Sequence, residues 1–471
     1  MLKIGLFGIG LDTYWAQFEG LKQRLEGYLS TVENNLAALH PEIVNLGLID
    51  NAEKAFDAGT RFRKEDVDII FLYVTTYALS STVLPVVQRA KVPVIILNLA
   101  PEAAIDYTAF NKQTDRAKMT GEWLAYCSAC PVPEIANVFN RTGIKFHQIT
   151  GVLNNDKECW DEVAGWVEAA KVAHTMAYNR LGCMGHYYSG MLDIYSDLTK
   201  QYASFGGHIE LLEVDELAAL RHTVTPTEIA GRVKEFYDAF DVQEGCSHEE
   251  LERAAKTSVA LDKLVDKYQL GSMAYYYKGT GNFDSEDTIS SIILGNSLLT
   301  ARGIPVAGEY EIKNAQAMKI MDSFGAGGSF TEYYAMDFAD DIVLMGHDGP
   351  GHIAIAEGKT KVRPLKVYHG KVGNGLSVEM SVKNGPVTLL SVVERGDKLM
   401  LLVAEGESVA GPILEIGNTN SRYQFSIGAR RFVNDWNSYG PAHHCAVGVG
   451  HIASKIDKLG QLLNLNVVKV C

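Results

Sequence analysis

Between Pro305 and His347 the chain reads PVAGEYEIKNAQAMKIMDSFGAGGSFTEYYAMDFADDIVLMGH, which supplies Glu309, Glu332 and His347. The segment GPAHH, further on, adds His443 and His444. Carboxylate oxygens and neutral imidazoles together hold a divalent ion, provided some coordination positions stay open for water or substrate oxygens. Each of these residues leaves a strand-like run or a turn: Glu309 after IPVAG, Glu332 after GAGGSF, His347 after DIVLM, the His pair after GPA. Side chains at strand ends are the ones a fold can aim at a common point. Plainer readings stand beside this one. Glu309 precedes EIKNAQAMKIM and would suit the positive end of a helix dipole. Glu332 could pair with a surface lysine, and the His pair could be one core and one exposed residue.

The elements that must position these residues are legible in outline. KIGLFGI, IVNLGLI, DIIFLYV and VPVIILNL are unbroken apolar runs alternating with helical patterns to about Ala38, over Ala52–Arg61 and over Leu84–Arg89. Apolar strands without polar alternation belong to a parallel sheet covered on both faces, and ligands approach the carboxyl ends of such strands. The loops Gly8–Trp15, Thr75–Ala78 and Asn98–Asp106 lie at those ends and make Asp12 and Tyr14 contact candidates. A second α/β unit begins near Arg180 with RLGCMGHYYSGMLDIYSD and continues through HIELLEV, a helix-rich stretch Pro226–Gln269 and GSMAYYY. His186, which follows its first strand, is either a pocket residue or a packed histidine in an aromatic turn. Asp284–Ala301 reads as one buried helix. After His347, LKVYHGKVG, LSVEMSVK, VTLLSVVER and KLMLLVAEGESVAG are short, closely spaced strands with Gly, Asn and Asp turns, as in an antiparallel sheet or barrel. A helix over Ile452–Leu463 and a strand NVVKV follow.

The expected architecture is α/β: two doubly wound, Rossmann-like parallel-sheet domains followed by a β-rich, barrel-like domain. The boundaries fall at 1–175, 176–324 and 325–471, consistent with about 100–200 residues per domain. With 43 Lys and Arg against 57 Asp and Glu, the net charge is −14. No basic run is available to neutralise a phosphate backbone, so nucleic acid is not an expected partner. No apolar stretch approaches the ~20 residues of a bilayer span, and MLKIGLFGIG reads as a strand rather than a signal peptide. A cytoplasmic protein is expected. Seven scattered cysteines do not form a disulfide framework, and the lone CxxC, Cys127–Cys130, lacks the second pair a zinc site needs. Gly8 and Gly10 begin a dinucleotide fingerprint that fails at Thr13, and EGKT at 357–360 ends a Walker loop that fails at Ile353.

The blocks VAGEYEIKNAQAMKIM, GGSFTEYYAMDFADDIVLMGH and GPAHH resemble, in order and spacing, those of the L-arabinose/L-fucose isomerase family, most closely L-arabinose isomerases. The resemblance implies a metal-dependent aldose–ketose isomerase using Mn²⁺, with Co²⁺ or Mg²⁺ as substitutes, acting on a monosaccharide through an ene-diol. It implies Glu309, Glu332, His347 and His444 as metal ligands, with Glu309 and Glu332 doubling as the acid/base pair. Sugar contacts would come from Asp12, Tyr14, His186, Tyr333, Asp348, His352 and His443. A homohexamer with active sites between subunits is implied as well. The chain departs from the family in the loop GIGLDTYW, where the family carries Gln and His. It departs again at NKQTDRAKMTGEW, where the family has a His-Gly-Gly element. An isomerase for L-fucose, D-arabinose or D-galactose, and a non-catalytic cytoplasmic sugar-binding protein, are the alternative readings.

Overall fold

Ile4–Ile9 (β1) is buried along its whole length, as a central strand flanked by helices on both faces must be. It pairs in parallel with Ile43–Ile49 (β2) and Ile69–Tyr73 (β3). Val94–Ala100 (β4) and Phe146–Val152 (β5) complete a parallel sheet of order β2-β1-β3-β4-β5. The computed structural model describes residues 1–366 and 374–471. They divide into two units, Met1–His174 and Thr175–Cys471. In the first, the helix Leu21–Leu39 turns Leu21, Leu25, Leu29, Val32 and Leu36 inward, the three-to-four spacing of a single buried stripe. The strand β5 has no counterpart in the sequence reading, because FHQITGV alternates polar residues and lies at the sheet edge.

The second unit opens with a smaller parallel sheet, order β10-β9-β6-β7, built from Arg180–Gly185 (β6), His208–Leu212 (β7), Ser272–Tyr276 (β9) and Val306–Ala307 (β10). The helix-rich stretch is two helices, Pro226–Ala239 and His248–Tyr268; the first starts on a capping box between Thr225 and Glu228. The single helix expected over 284–301 is instead two, Phe283–Ser290 and Ile293–Ala301. Ser290 and Ser291 interrupt the turn, and Ser291 Oγ takes up carbonyls of Asp287 and Thr288.

Beyond these lie Ser329–Asp337 (β11), Ile342–His347 (β12), Gly385–Arg395 (β15), Lys398–Val409 (β16), Thr419–Gln424 (β17) and His444–Val449 (β18). Their antiparallel pairings run β15–β18–β11–β12–β17–β16 and return to β15. This closes the barrel that the strand spacing suggested and removes every free edge from the ring. Asn466–Lys469 (β19) adds in parallel to β16. A separate small sheet joins Asp241–Val242 (β8) to Lys361–Lys366 (β13) and Asn374–Glu379 (β14). Of the expected strand LKVYHGKVG, Leu365 and Lys366 end β13 and the remainder lies outside the described residues. Among the elements around the barrel, the strand β17 and the helix Ala429–Ser438 were not anticipated.

One face of the barrel strands forms an apolar core, with Met345, Leu389, Leu402, Tyr423, Cys445 and Val447 among its members. The helix Ile312–Ser323, buried along Ile312–Met321, packs between β15 and β18 on one side and β9 and β10 on the other. Its approach to β18 is so close that a Cβ on Gly448 would lie 2.7 Å from Met321 Cε and 2.9 Å from Ala326 O. Strand alternation then decides which side chains face this helix: Cys445 and Val447 enter the barrel core, while His444 and Ala446 take the other face. Among the described residues, no helix is long and apolar enough to cross a membrane.

Candidate active site

The link between β10 and the buried helix is short and strained. Glu309 and Tyr310 both adopt positive φ, +57° and +63°, a conformation that costs non-glycine residues of order 1–3 kcal/mol and persists only where the surroundings enforce it. Here Tyr310 N–H donates to Tyr275 O at 3.0 Å, Glu311 N–H donates to Gly308 O at 2.9 Å, and the Tyr310 ring packs edge-on against Tyr187. The strain turns the Glu309 side chain toward the barrel.

On the barrel side, register does the positioning. Glu332 on β11 stands opposite His444 of β18 and opposite Gly346 of β12, the residue before His347. The acids and imidazoles therefore converge. Glu309 Oε2 lies 3.5 Å from His444 Nε2, and Glu309 Oε1 lies 3.8 Å from His347 Nε2. His443 Nε2 lies 3.9 Å from Oε2 of both Glu309 and Glu332. Donor atoms of Glu309, His347 and His444 fall within 4.8 Å of one another, as do those of Glu332, His443 and His444. Phe330 braces the group, with its ring centroid 4.5 Å from that of His347 and 4.3 Å from that of His444.

The electrostatics suit a cation. His444 is fully buried, and burial, followed by the charges of His347, His443 and Lys313, holds its imidazole well below the ordinary histidine value. It is neutral at physiological pH, and neither ring nitrogen has a hydrogen-bond partner among the described residues. A buried neutral imidazole with an open lone pair beside carboxylates is a ready ligand. Its other nitrogen faces Glu311 Oε2 at 3.6 Å. Burial pushes the Glu311 carboxyl up to about 8, against a smaller opposing pull from Lys313, so it keeps its proton at neutral pH. His347 Nδ1 is engaged by Asp348 O at 2.5 Å, which directs Nε2 to Glu309. The mixed oxygen and nitrogen donor set fits a divalent ion.

The L-arabinose isomerase C-terminal domain family matches residues 327–466, the span that carries Glu332, His347, His443 and His444. L-arabinose isomerase from Klebsiella pneumoniae subsp. pneumoniae is 23% identical over 352 residues, covering 70% of this chain and 68% of that protein. Sulfoquinovose isomerase from Alkalicoccus urumqiensis is 24% identical over 262 residues, covering 50% and 57%. Residues 327–466 thus resemble the C-terminal domain of L-arabinose isomerases, and the chain as a whole is distantly similar to them. Both of these relatives are named sugar isomerases; Glu332, His347, His443 and His444 lie within the matched span and Glu309 lies before it.

Around that cluster the remaining candidates separate. Asp348 follows His347, with Oδ1 3.7 Å from its Nδ1. Tyr333 does not face the cluster: it packs against Phe432 in the barrel core, with its hydroxyl buried and without a hydrogen-bond partner among the described residues. The cause is strand alternation: with Glu332 facing the cluster, Tyr333 opposite Met345 takes the core face of β11 and Tyr334 returns to the face of Glu332, the register irregularity coming only between Tyr333 and Ala335. Tyr334 is the tyrosine beside the site. Burial, then the charges of Asp348 and Glu332, raise its hydroxyl, which accepts from Asn418 Nδ2 at 2.9 Å. His352 is likewise turned elsewhere; it is buried with Nε2 3.5 Å from Asp322 Oδ1, at the last turn of the buried helix. His186 is exposed, edge-on to Tyr276, whose own hydroxyl is raised by burial, then Tyr188 and Glu309. In the first unit, Asp12 and Tyr14 form a 3₁₀ turn after β1. Trp15 Nε1, donating to Asp50 Oδ2 at 2.8 Å, pins that turn to the end of β2.

Several members of the site escaped the sequence reading. Phe330, Tyr334, Glu311 and Lys313 lie inside the quoted motifs but carry no signal of their role. Asp193 lies outside them altogether.

Proposed function

We propose that the chain interconverts an aldose and its ketose at the cluster of Glu309, Glu332, His347, His443 and His444. The observation that carries the reading is the convergence of two carboxylates and a buried neutral imidazole, with Glu309 Oε2 3.5 Å from His444 Nε2. Glu309, Glu332, His347 and His444 are the proposed ligands, and Mn²⁺ the proposed ion. A divalent cation held there would polarise the two substrate oxygens.

The carboxylates handle the protons. One takes the C2 proton of the open-chain aldose, and the electron pair of that bond forms the C1–C2 double bond of an ene-diol. The proton returns at C1, O2 gives up its hydroxyl proton to become the ketone, and O1 gains one to become a hydroxyl. The two acids are differently placed for this: Glu309 is 12% exposed and Glu332 31%. Unequal burial separates proton affinities, as an acid and a base in one site require.

Asp348, His443 and His186 are proposed sugar contacts. L-Arabinose is the first substrate to test, and a homo-oligomeric cytoplasmic enzyme is the form we propose. The similarity to a sulfoquinovose isomerase makes an acidic sugar the second reading. The test is ketose formation from L-arabinose, L-fucose, D-arabinose, D-galactose and sulfoquinovose, on chelator-stripped protein with and without Mn²⁺. Turnover of one sugar only with the ion supports the proposal and names the substrate. Equal turnover without the ion, or none with it, rejects it.

A further inference from the structure

The segment between β6 and the helix Leu198–Phe205 carries a residue that no motif announces. Asp193 Oδ2 accepts the backbone N–H of His443 at 2.9 Å and engages the ring Nδ1 of the same residue at 2.6 Å. Its carbonyl accepts Nζ of Lys313, from the first turn of the buried helix, at 2.5 Å. The segment is tied again further on, where Ser196 Oγ and Lys200 Nζ donate to Glu394 of β15 at 2.9 and 2.7 Å. Asp193 is therefore a fixed point.

The consequence appears at the opposite side of the imidazole. An exposed histidine ring ordinarily samples several rotamers, and the His443 side chain is 37% exposed. A single carboxylate oxygen holding both its backbone and its Nδ1 removes that freedom. The ring lies over His444, centroids 3.8 Å apart, with Nε2 3.9 Å from Oε2 of Glu309 and of Glu332. A hydroxyl placed between those carboxylates comes within reach of that nitrogen. A hydrogen bond at one ring nitrogen selects which nitrogen is left open.

We infer that Asp193 is a positioning residue: it fixes the tautomer and orientation of His443, so that Nε2 receives a hydroxyl of the substrate bound between Glu309 and Glu332. The inference rests on the isomerase reading of the same site. Asp193 neither touches the substrate nor contributes to the metal-ligand set; its effect passes through His443.

The experiment is a double-mutant cycle in the full-length, Mn²⁺-loaded enzyme. Asp193→Ala is expected to lower kcat about 10- to 100-fold with metal content unchanged, and Asp193→Ala/His443→Ala to be no slower than His443→Ala alone. Wild-type kcat in Asp193→Ala, or losses that multiply in the double variant, overturns the inference. Asp193→Asn, which keeps the side-chain shape, replaces the Ala variant in every arm if that variant fails to fold. Ring ¹⁵N shifts of His443 in the Mg²⁺-loaded full chain give a readout that needs no turnover. Wild type should carry its proton on Nδ1 and the variant should lose that preference; an unchanged shift overturns the inference even if no aldose reacts, whereas loss of turnover in wild type itself counts against the isomerase reading alone.

Discussion

Glu332 and His444 are directly opposite on the β11–β18 ladder, yet His444 is wholly buried and Glu332 keeps 31% of its side chain exposed. One rung of the barrel thus carries a ligand-type imidazole sealed from water and a carboxylate that still reaches the outside. Register fixes both, because a one-residue slip would turn His444 into the barrel core and Cys445 out of it.

Glu309→Gln and Glu332→Gln are expected to keep the fold and lose kcat by orders of magnitude. Each removes a charge and a base while preserving volume. Circular dichroism reports the fold, a ketose assay the rate, and metal analysis the ion content. Either variant turning over within tenfold of wild type excludes that residue as the proton-transferring base.

Phe330→Ala is expected to be costly for a different reason. The ring fills the space between His347 and His444 and is itself 2% exposed. Its removal should cost about 3–5 kcal/mol of stability and weaken Mn²⁺ binding by loosening both imidazoles. Chemical denaturation and metal titration measure the two effects. Normal metal affinity in a destabilised protein would confine Phe330 to packing.

Two neighbouring tyrosines should behave oppositely. Tyr333→Phe removes a buried hydroxyl that has no hydrogen-bond partner among the described residues, and so should leave kinetics unchanged and stability equal or higher. Tyr334→Phe removes a hydroxyl near Asp348 and Glu332 and should raise KM with little loss of stability. Steady-state kinetics on the pair, with thermal melts, decides it. A raised KM in Tyr333→Phe would contradict the side-chain directions on β11.

The same pair shows where sequence reasoning stops. Apolar runs announced the parallel strands because an unbroken apolar stretch is a local property, and β5 was lost because FHQITGV, half-exposed at the sheet edge, has no such run. Glu309, Glu332, His347 and the pair His443–His444 were legible as residues that could converge because motif spacing ties them to strand ends. Tyr334 was not, since it shares the face of Glu332 two residues earlier only once both are known to lie within one strand. Nor was Asp193, whose partner lies 250 positions away and is set only by tertiary packing. His352 looked like a neighbour of the site from its place after His347, but the chain carries it to Asp322.

The acid limit of stability should be set in part by Asp287. Its carboxylate receives Arg221 Nη2 at 2.5 Å and Arg253 Nη1 at 3.0 Å, binding the helices Val214–Arg221, His248–Tyr268 and Phe283–Ser290 together. Burial alone would raise this carboxyl, but the hydrogen bonds and charge of Arg221, then of Arg253, outweigh it and hold the group below the usual aspartate value. A carboxyl depressed in the folded state stabilises fully above its unfolded value, about 4, and that contribution fades as pH falls through the folded value. Asp287→Asn strands the nearly buried Arg221 and should cost about 3 kcal/mol at neutral pH, the low end for a broken buried pair. Melting temperatures of wild type and variant should differ by a constant amount from neutral pH down to about 4, then converge below it. A gap that persists undiminished well below that point would show that Asp287 acts through shape and not through charge.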